Sequence, residues 1–355
     1  MKRIVVFGRI PNPTFDYYLA ARLDASDMPP YEVADIRGRD IPALNADGAF
    51  VILCRYASPS VLRWIESNAK HLSGVGLFLD DDIPAVVTGK DADFLYRLFL
   101  WYRALWPLRR LNRHLDIVWA STPHLASRLA RVEAIVLPPA PPKALWKADG
   151  SDGNWHCQSN GDVLIGYHAT GVHLEEHRFL QPIIAEVLRE RPRARFEVFA
   201  DRRAKAIWQG LERVRIREPM PWAEYLADAN TRRIDIMLVP LAPSHVNDSR
   251  APTKRIDVAR YQAAGVFSMG VVFGDAADDG ELLATYDAKL WRETILLLID
   301  DVGERGVAAI ATHRAVLQMA SVADTGFEAF RPSEIVGQPS GPDATSNVGQ
   351  TDLSE

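Results

Sequence analysis

The sequence predicts an α/β protein built from two parallel-sheet domains. Short apolar runs of strand length alternate with longer amphipathic stretches along most of the chain, which is typical of parallel strands covered by helices. A segment rich in proline, then in glycine and small polar residues, interrupts this alternation near the middle. The 355 residues are enough to build a hydrophobic core on each side of this segment.

The first domain is predicted to span residues 1–140. Its expected strands are Arg3–Gly8, Ala49–Cys54, residues 75–79, Ile117–Ala120 and residues 134–137. The turn after the first strand, Phe-Gly-Arg-Ile-Pro, lacks the Gly-x-Gly-x-x-Gly pattern, which argues against a dinucleotide-dependent oxidoreductase. Residues 141–160 are the expected linker.

The second domain is predicted to span residues 161–331. It contains expected strands at residues 163–167, 195–200, 235–239 and 266–269, and an expected helix at Leu174–Glu190 that Pro192 stops. Helical stretches at residues 291–298 and 307–319 either close this domain or cross back toward the first. Residues 332–355 lose apolar periodicity and are expected to be disordered.

Composition excludes several classes of protein. Hydrophobic residues make up 48% and charged residues 25%, and a net charge of -5 gives no general attraction to nucleic acid, so no nucleic-acid partner is expected. Cys54 and Cys157, the two cysteines, support neither a disulfide framework nor a cysteine-based zinc site. The apolar run at the start is too short for a signal or spanning segment, so we expect a cytoplasmic protein.

Residues 234–265 carry the strongest functional signal, because they join an apolar strand to a polar loop and then to a charged helix start. Ligands of open α/β sheets bind where strands end at their carboxyl side. Lys254 and Arg255 fall in the first helical turn, where cations oppose the helix dipole. An anionic partner such as a diphosphate would explain them, and a solvated helix start is the alternative.

This order of residues resembles the nucleotide-sugar region of retaining glycosyltransferases of the group-1 or family-4 type, which act in polysaccharide biosynthesis. The matching positions are Pro240, Leu241, Asn247, Lys254, Asp257 and residues 263–268. The resemblance implies a GT-B-like fold, in which two Rossmann-like parallel-sheet domains face a cleft. It also implies that Asp257 holds the ribose hydroxyls of a nucleotide-sugar donor and that Lys254 lies near the phosphates, which makes both candidate catalytic residues.

Further donor-binding candidates are Asn247, Ser249, Arg255 and Arg260. Arg260 lies three residues beyond Asp257, on the same helix face. Ser249 occupies the position, eight residues before Asp257, where the family has a first glutamate.

The opening of the second domain gives the resemblance a second support. Gly166, Tyr167, Thr170, Gly171 and His173 form the loop that would meet a donor phosphate or sugar. His173, the third catalytic candidate, either contacts substrate or is an ordinary residue at a helix start. The set of His173, Glu176 and His177 lacks a strong ligand signature, so no metal is expected, and no cofactor beyond the nucleotide-sugar co-substrate.

The first domain contains two further features, an acidic run and a helix rich in aromatic residues and arginines. Asp80, Asp81 and Asp82 follow a strand, and because like charges repel, at least one is expected to be paired, ion-bound or used for substrate recognition. A solvated acidic turn is the alternative. Residues 94–113 form a helix with interleaved aromatic residues and arginines. Core packing is the favoured explanation because Pro107 interrupts the helix and apolar residues surround it, and peripheral contact with an anionic membrane is the alternative.

The sequence therefore favours a glycosyltransferase that moves a sugar from a nucleotide-sugar donor to a glycan, lipid-linked or other hydroxyl acceptor, in surface polysaccharide biosynthesis. Two alternatives stay open. A noncatalytic glycosyltransferase-like binding or scaffold protein is favoured by Ser249 and by the atypical loop at residues 166–173. Another nucleotide-sugar enzyme, such as an epimerase, is the second, since a fold does not determine chemistry.

Overall fold

The computed structural model describes residues 1–38, 41–89, 93–129, 133–146, 161–169, 173–275 and 280–330. Its strands form two six-stranded parallel sheets, as expected for two Rossmann-like domains, so the predicted fold class is confirmed. The strands of the first sheet are β1 (Arg3–Gly8), β2 (Tyr31–Asp35), β3 (Ala49–Cys54), β4 (Gly74–Leu79), β5 (Ile117–Ala120) and β6 (Ile135–Val136). Those of the second are β7 (Val163–His168), β8 (Ala194–Phe199), β9 (Val214–Arg217), β10 (Ile236–Val239), β11 (Ala264–Ser268) and β12 (Leu282–Ala284).

Helices cover both sheets. In the first half they are α1 (Pro13–Tyr18), α2 (Ala20–Leu23), α3 (Pro59–Asn68), α4 (Ile83–Thr88), α5 (Phe94–Leu100), α6 (Trp106–Leu111) and α7 (Pro123–Arg128). In the second half they are α8 (Leu174–Glu190), α9 (Arg202–Trp208), α10 (Trp222–Thr231), α11 (His245–Asp248), α12 (Lys254–Arg260), α13 (Ala288–Asp300) and α14 (Val302–Ala320). A π-helical turn, Trp101–Leu105, joins α5 to α6. Among the described residues, no helix is long and apolar enough to cross a membrane.

The central strands can be predicted from the sequence because helices cover both of their faces. β3 and β10 are buried at every position and therefore read as continuous apolar runs. The strands β2, β9 and β12 were not predicted. Each lies at the edge of its sheet, and β2 and β9 are partly exposed and carry charged residues, so the apolar signal is weak.

Strand order places a crevice in each domain. The order of the first sheet is β2-β1-β3-β4-β5-β6, and that of the second is β12-β11-β10-β7-β8-β9. The direction in which successive strands are added to the sheet therefore reverses between β1 and β3 in the first sheet, and between β7 and β10 in the second. At such a switch point the loops leaving two neighbouring strands diverge, which opens a binding crevice at the carboxyl ends.

The last described residues return to the first domain. Helices α13 and α14 pack on the second sheet, and residues 321–330 then cross back to the first. There Phe327 and Phe330 pack on Trp119, whose Nε1 donates a hydrogen bond to the Gly326 carbonyl at 3.2 Å. Buried Arg22 donates to the Thr325 and Pro138 carbonyls. The predicted domain limits stay a prediction, since residues 147–160 and the predicted tail lie outside the described residues.

Gly76→Ala should destabilise the first domain. A Cβ atom at Gly76 would lie 2.2 Å from the ring of Trp119, which is buried and cannot easily move. Such overpacking costs about 1–3 kcal/mol of unfolding free energy. Gly306→Ala in α14 is the control, since nothing lies within 4 Å of its Cβ, and alanine gains about 0.5–1 kcal/mol in a helix. Equal denaturation midpoints for the two variants would show that the Trp119 contact is unimportant.

Candidate active site

A cleft of about 400 Å³ lies between the two sheets, at the carboxyl ends of their strands. Polar side chains from both domains line it. Those of the first domain are Thr14, Tyr17, Tyr18, Arg55, Asp80 and Asp81, and those of the second are Tyr167, His168, His173, Tyr225, Arg250, Thr253, Lys254 and Asp257. Most of them follow the strands that border the two switch points, so the topology itself brings the charged groups together.

Asp257 lies at the centre of the contact between the domains and is only 3% exposed. Its Oδ1 accepts a hydrogen bond from the Tyr17 hydroxyl at 2.6 Å, and its Oδ2 accepts one from Lys254 Nζ at 2.9 Å. Burial opposes ionisation, but Lys254 and Arg260 lower the pKa of Asp257 below its usual value. The residue is therefore a charged acceptor, which is the form needed to bind hydroxyl groups.

Arg260 lies behind the cleft wall. Its guanidinium packs over the ring of Trp222 at 5.4 Å, and Trp222 Nε1 donates to Asp16 of α1 at 2.5 Å. The Nε and Nη2 atoms of Arg260 are buried and make no hydrogen bond to the described residues. Arg260 thus acts on the cleft through Asp257, as a nearby positive charge.

His173 is held in one tautomer. Its Nε2 is 2.7 Å from Arg250 Nη1, and because a guanidinium only donates, Nε2 must be the acceptor. The proton then lies on Nδ1, which faces Glu176 Oε1 at 3.5 Å. Burial and the charge of Arg250 both lower the pKa of His173, so the ring is neutral at pH 7.

Glu176 fixes the loop that follows β10. Its Oε1 accepts hydrogen bonds from Asn247 Nδ2 at 2.9 Å and from the Ala242 backbone at 3.1 Å. Burial raises the pKa of Glu176, but the contact with His173 and the backbone hydrogen bonds outweigh it and lower this pKa to about 2. Asn247 also donates to the Ala242 carbonyl at 2.8 Å. The structure therefore places Asn247 beneath the cleft, as a support for its loop.

The acidic run of the first domain is paired with arginines, which confirms the expectation for repelling carboxylates. Arg55, whose φ is 69°, places Nε 2.7 Å from Asp80 and donates through Nη2 to Asp81 at 2.5 Å. Asp82 caps α4 and pairs with Arg128. Burial raises the pKa of Asp80 to about 6, whereas Arg55 and Arg250 lower that of Asp81 despite its burial.

The remaining predicted binding residues lie in different places. Tyr167 lines the cleft, and its buried hydroxyl has no hydrogen-bond partner among the described residues. Gly166 packs against Ile234. Thr170 and Gly171 lie outside the described residues.

Ser249 and Arg255 point away from the cleft. Fully buried Ser249 donates to the His245 carbonyl at 3.0 Å, and its own carbonyl accepts from Thr122 of the first domain at 3.1 Å. Arg255 pairs with Glu281 and donates to the Phe273 carbonyl.

Sequence reasoning missed Arg250, Arg55 and Tyr17. Arg250 stands in the polar loop already singled out, next to Ser249, and a cation at a strand's carboxyl end was a usable signal. Arg55 likewise follows a predicted strand directly. Tyr17 carried no local signal, because its partner Asp257 is 240 positions away.

The described residues contain no group of three or more His, Cys, Asp or Glu side chains that could hold a metal ion. Of the three residues considered from sequence, His177 accepts a hydrogen bond from Trp208 Nε1 at 2.9 Å through Nδ1, whereas His173 and Glu176 face each other. The absence of a metal requirement remains a prediction.

Comparisons with known proteins identify the fold. A search with protein-family models finds no match, and no curated protein matches the sequence. The chain is similar to Anabaena HepE in complex with UDP and glucose, with 14% identity, a TM-score of 0.55, and 91% of this chain and 97% of that chain covered.

Two further structures agree. OtsA has 12% identity and a TM-score of 0.52, with 91% and 98% of the two chains covered. The N-terminal domain of Candida albicans trehalose-6-phosphate phosphatase has 12% identity and a TM-score of 0.50, with 91% and 95% covered. Identities this low establish the fold alone, and this fold is GT-B.

Glu176→Gln should flatten the acid dependence of stability. The carboxylate of Glu176 has a pKa depressed from 4.5 to about 2 in the folded protein. Its contribution is therefore complete above about pH 4.5 and is lost as the pH falls toward about 2, with a total of about 3 kcal/mol. Urea unfolding of the wild type and the variant between these pH values measures the difference. The exposed neighbour Glu175→Gln is the control, and parallel curves for all three proteins would contradict the assignment.

Proposed function

We propose that this protein is a glycosyltransferase that moves a sugar from a nucleotide-sugar donor to a glycan, lipid-linked or other hydroxyl acceptor. The observation that carries the proposal is the meeting, in one interdomain cleft, of the charged carboxylate Asp257 with the cations Lys254 and Arg250. This combination suits a nucleoside diphosphate, which offers ribose hydroxyls to a carboxylate and phosphates to cations. HepE, which shares the fold, forms a complex with UDP and glucose.

The donor is proposed to bind on the second domain. Asp257 accepts hydrogen bonds from the ribose hydroxyls in place of the Tyr17 hydroxyl. Lys254 and Arg250 contact the diphosphate and stabilise the negative charge that grows on it as the glycosidic bond breaks. His173 and the buried hydroxyl of Tyr167 are proposed to contact the sugar or its phosphate. Arg250 and Glu176 hold the neutral ring of His173 in position, and the Tyr167 hydroxyl has no hydrogen-bond partner among the described residues.

The acceptor is proposed to bind on the first domain, beside Arg55, Asp80 and Asp81. Their carboxylates can accept hydrogen bonds from acceptor hydroxyl groups, and closure of the two domains would exclude water from the sugar. Three parts of the proposal rest on the resemblance of residues 234–268 to family-4 enzymes. They are retention of anomeric configuration, a role in surface polysaccharide biosynthesis, and action without a metal or cofactor. The cytoplasmic location expected from the sequence is also part of the proposal.

A nucleotide screen tests the donor site. We expect one of UDP, GDP, CMP and TDP, or a sugar derivative of it, to stabilise the protein by about 2.7 kcal/mol at 100 times its Kd. Lys254→Ala and Asp257→Asn each remove a charge-assisted hydrogen bond. Each should weaken binding roughly 30-fold, on the basis of about 2 kcal/mol for such a bond. Thermal-shift and calorimetric titrations measure both.

The matched control is the double variant Arg255→Gln with Glu281→Gln. It removes the neighbouring cation together with the carboxylate that engages it, and nucleotide affinity should be unchanged because this pair faces away from the cleft. A loss of nucleotide affinity in this double variant would show that Arg255 belongs to the donor site. Wild type that binds none of the nucleotides would refute the transferase proposal.

Tyr17→Phe should tighten nucleotide binding. The ribose must displace the Tyr17 hydroxyl from Asp257, and removing that hydroxyl while keeping the ring against Trp222 abolishes the competition. We expect a Kd lower by about tenfold or more, since a hydrogen bond to a charged group contributes about 1.5–3 kcal/mol. Calorimetry with the preferred nucleotide measures this. A weaker Kd in Tyr17→Phe would mean that Tyr17 contacts the ligand directly.

One observation favours a second candidate, a noncatalytic binding protein of the same fold. Ser249 replaces the first glutamate of the resembled family, and its hydroxyl is committed to the His245 carbonyl, so it supplies no carboxylate to the cleft. Under this alternative the preferred nucleotide sugar binds but is neither transferred nor hydrolysed. Release of nucleoside diphosphate during prolonged incubation with mixed acceptors, abolished in Lys254→Ala, would exclude it.

A further inference from the structure

The helical segment from α5 through the π-turn to α6, residues 94–111, exposes an unusual amount of apolar surface. Six large apolar side chains on its outer face are between 43% and 72% exposed: Phe94, Leu95, Leu98, Trp101, Tyr102 and Trp106. Their spacing of three to four residues, with adjacent pairs, places them on one side of a helix. Clustering of this kind on the described surface is typical of an interaction site.

The inner face of the same segment is buried. Leu100, Ala104 and Leu111 contact the core of the first domain, and Pro107 is buried beside them. The π-turn precedes Pro107, where the missing N–H group already interrupts helical hydrogen bonding. Core packing, which the sequence favoured, therefore explains the inner face and leaves the outer face unexplained.

The positive charge of the segment indicates an anionic partner. Between Phe94 and Leu115 the chain has five arginines and no Asp or Glu, although the whole protein has a net charge of -5. Arg97 is bound to the Val87 carbonyl and Arg110 to Glu66. Arg109 and Arg113 are exposed and make no side-chain contact with an acid of the described residues. Aromatic and apolar side chains beside unpaired arginines match the headgroup layer of an anionic bilayer.

The surface also leads toward the cleft. A cavity of about 170 Å³, lined by Leu105, Leu108 and other apolar residues of this region, lies under the segment. Arg55 and Asp81 border this cavity and also line the cleft. A bilayer on the outer face would therefore lie on the side of the first domain that carries the proposed acceptor site.

We propose that the outer face of residues 94–113 docks on an anionic lipid bilayer, with the aromatic and leucine side chains in the headgroup boundary and Arg109 and Arg113 against lipid phosphates. This docking does not depend on the proposed transferase activity. It is a property of the first domain's surface, and nucleotide binding in the cleft can succeed or fail without affecting it.

Co-sedimentation of the full chain with vesicles tests the proposal. The wild type should bind vesicles of phosphatidylcholine mixed with phosphatidylglycerol, bind weakly to phosphatidylcholine alone, and dissociate at high salt. Leu95→Ser with Leu98→Ser should abolish binding. Arg109→Gln with Arg113→Gln should lower the partition coefficient roughly 30-fold, since each arginine near an anionic surface contributes about a factor of five.

Two matched controls separate docking from general effects. Leu297→Ser with Leu317→Ser removes similarly exposed leucines from α13 and α14, and Arg178→Gln with Arg189→Gln removes exposed arginines from α8. Both should bind vesicles as the wild type does. Circular dichroism and thermal unfolding verify that each variant is folded.

Three outcomes would overturn the proposal. In the first, the folded wild type fails to bind anionic vesicles. In the second, the segment variants and the control variants reduce vesicle binding equally. In the third, light scattering shows a dimer that Leu95→Ser with Leu98→Ser dissociates, and vesicles are not bound. The last result would assign the face to a second copy of this chain.

Discussion

The candidate site depends on the hydrogen bonds that the buried carboxylate of Asp257 accepts from both domains. A charge that is 3% exposed must be matched by donors, and here the donors come from both domains, as Tyr17 from the first and Lys254 from the second. The relative position of the two sheets is therefore tied to this one group. Under the proposed function, a donor that supplies its own hydroxyls to Asp257 would replace Tyr17 without leaving the charge unpaired, and donor binding would then remove one contact between the domains.

The parallel topology explains why such a group exists. Both sheets end their strands at the cleft, and each has its switch point there, so loops from distant parts of the chain meet without long connections. Each domain supports its own loop from beneath. In the second domain Glu176 holds Asn247 and the backbone after β10, and in the first Arg55 holds Asp80 and Asp81. The groups facing the cleft are thus held in place before any ligand binds, by buried Glu176 in the second domain and by Arg55 in the wall of the cleft itself.

The sequence predicts what is local and misses what depends on tertiary contact. Continuous apolar runs identify the central strands. The structure shows Lys254 and Asp257, three residues apart on α12, in direct contact, as the period of a helix allows. Arg255 was grouped with Lys254 by adjacency, but successive residues on a helix diverge by about 100°, and Arg255 instead meets Glu281. The contact of Tyr17 with Asp257, like the return of residues 321–330 to the first domain, exists only in the folded chain.

The charges of the cleft suggest an order of binding. Its lining contains three cations, Arg55, Arg250 and Lys254, and three carboxylates, Asp80, Asp81 and Asp257. Arg55, Asp80 and Asp81 belong to the first domain, so the second domain alone carries two of these cations and one of these carboxylates. Under the proposed function, the second domain would therefore attract a nucleoside diphosphate more strongly before the domains close than after. Closure would then bring the acids of the first domain toward a phosphate already paired with Lys254 and Arg250, which favours donor binding before closure over the acceptor.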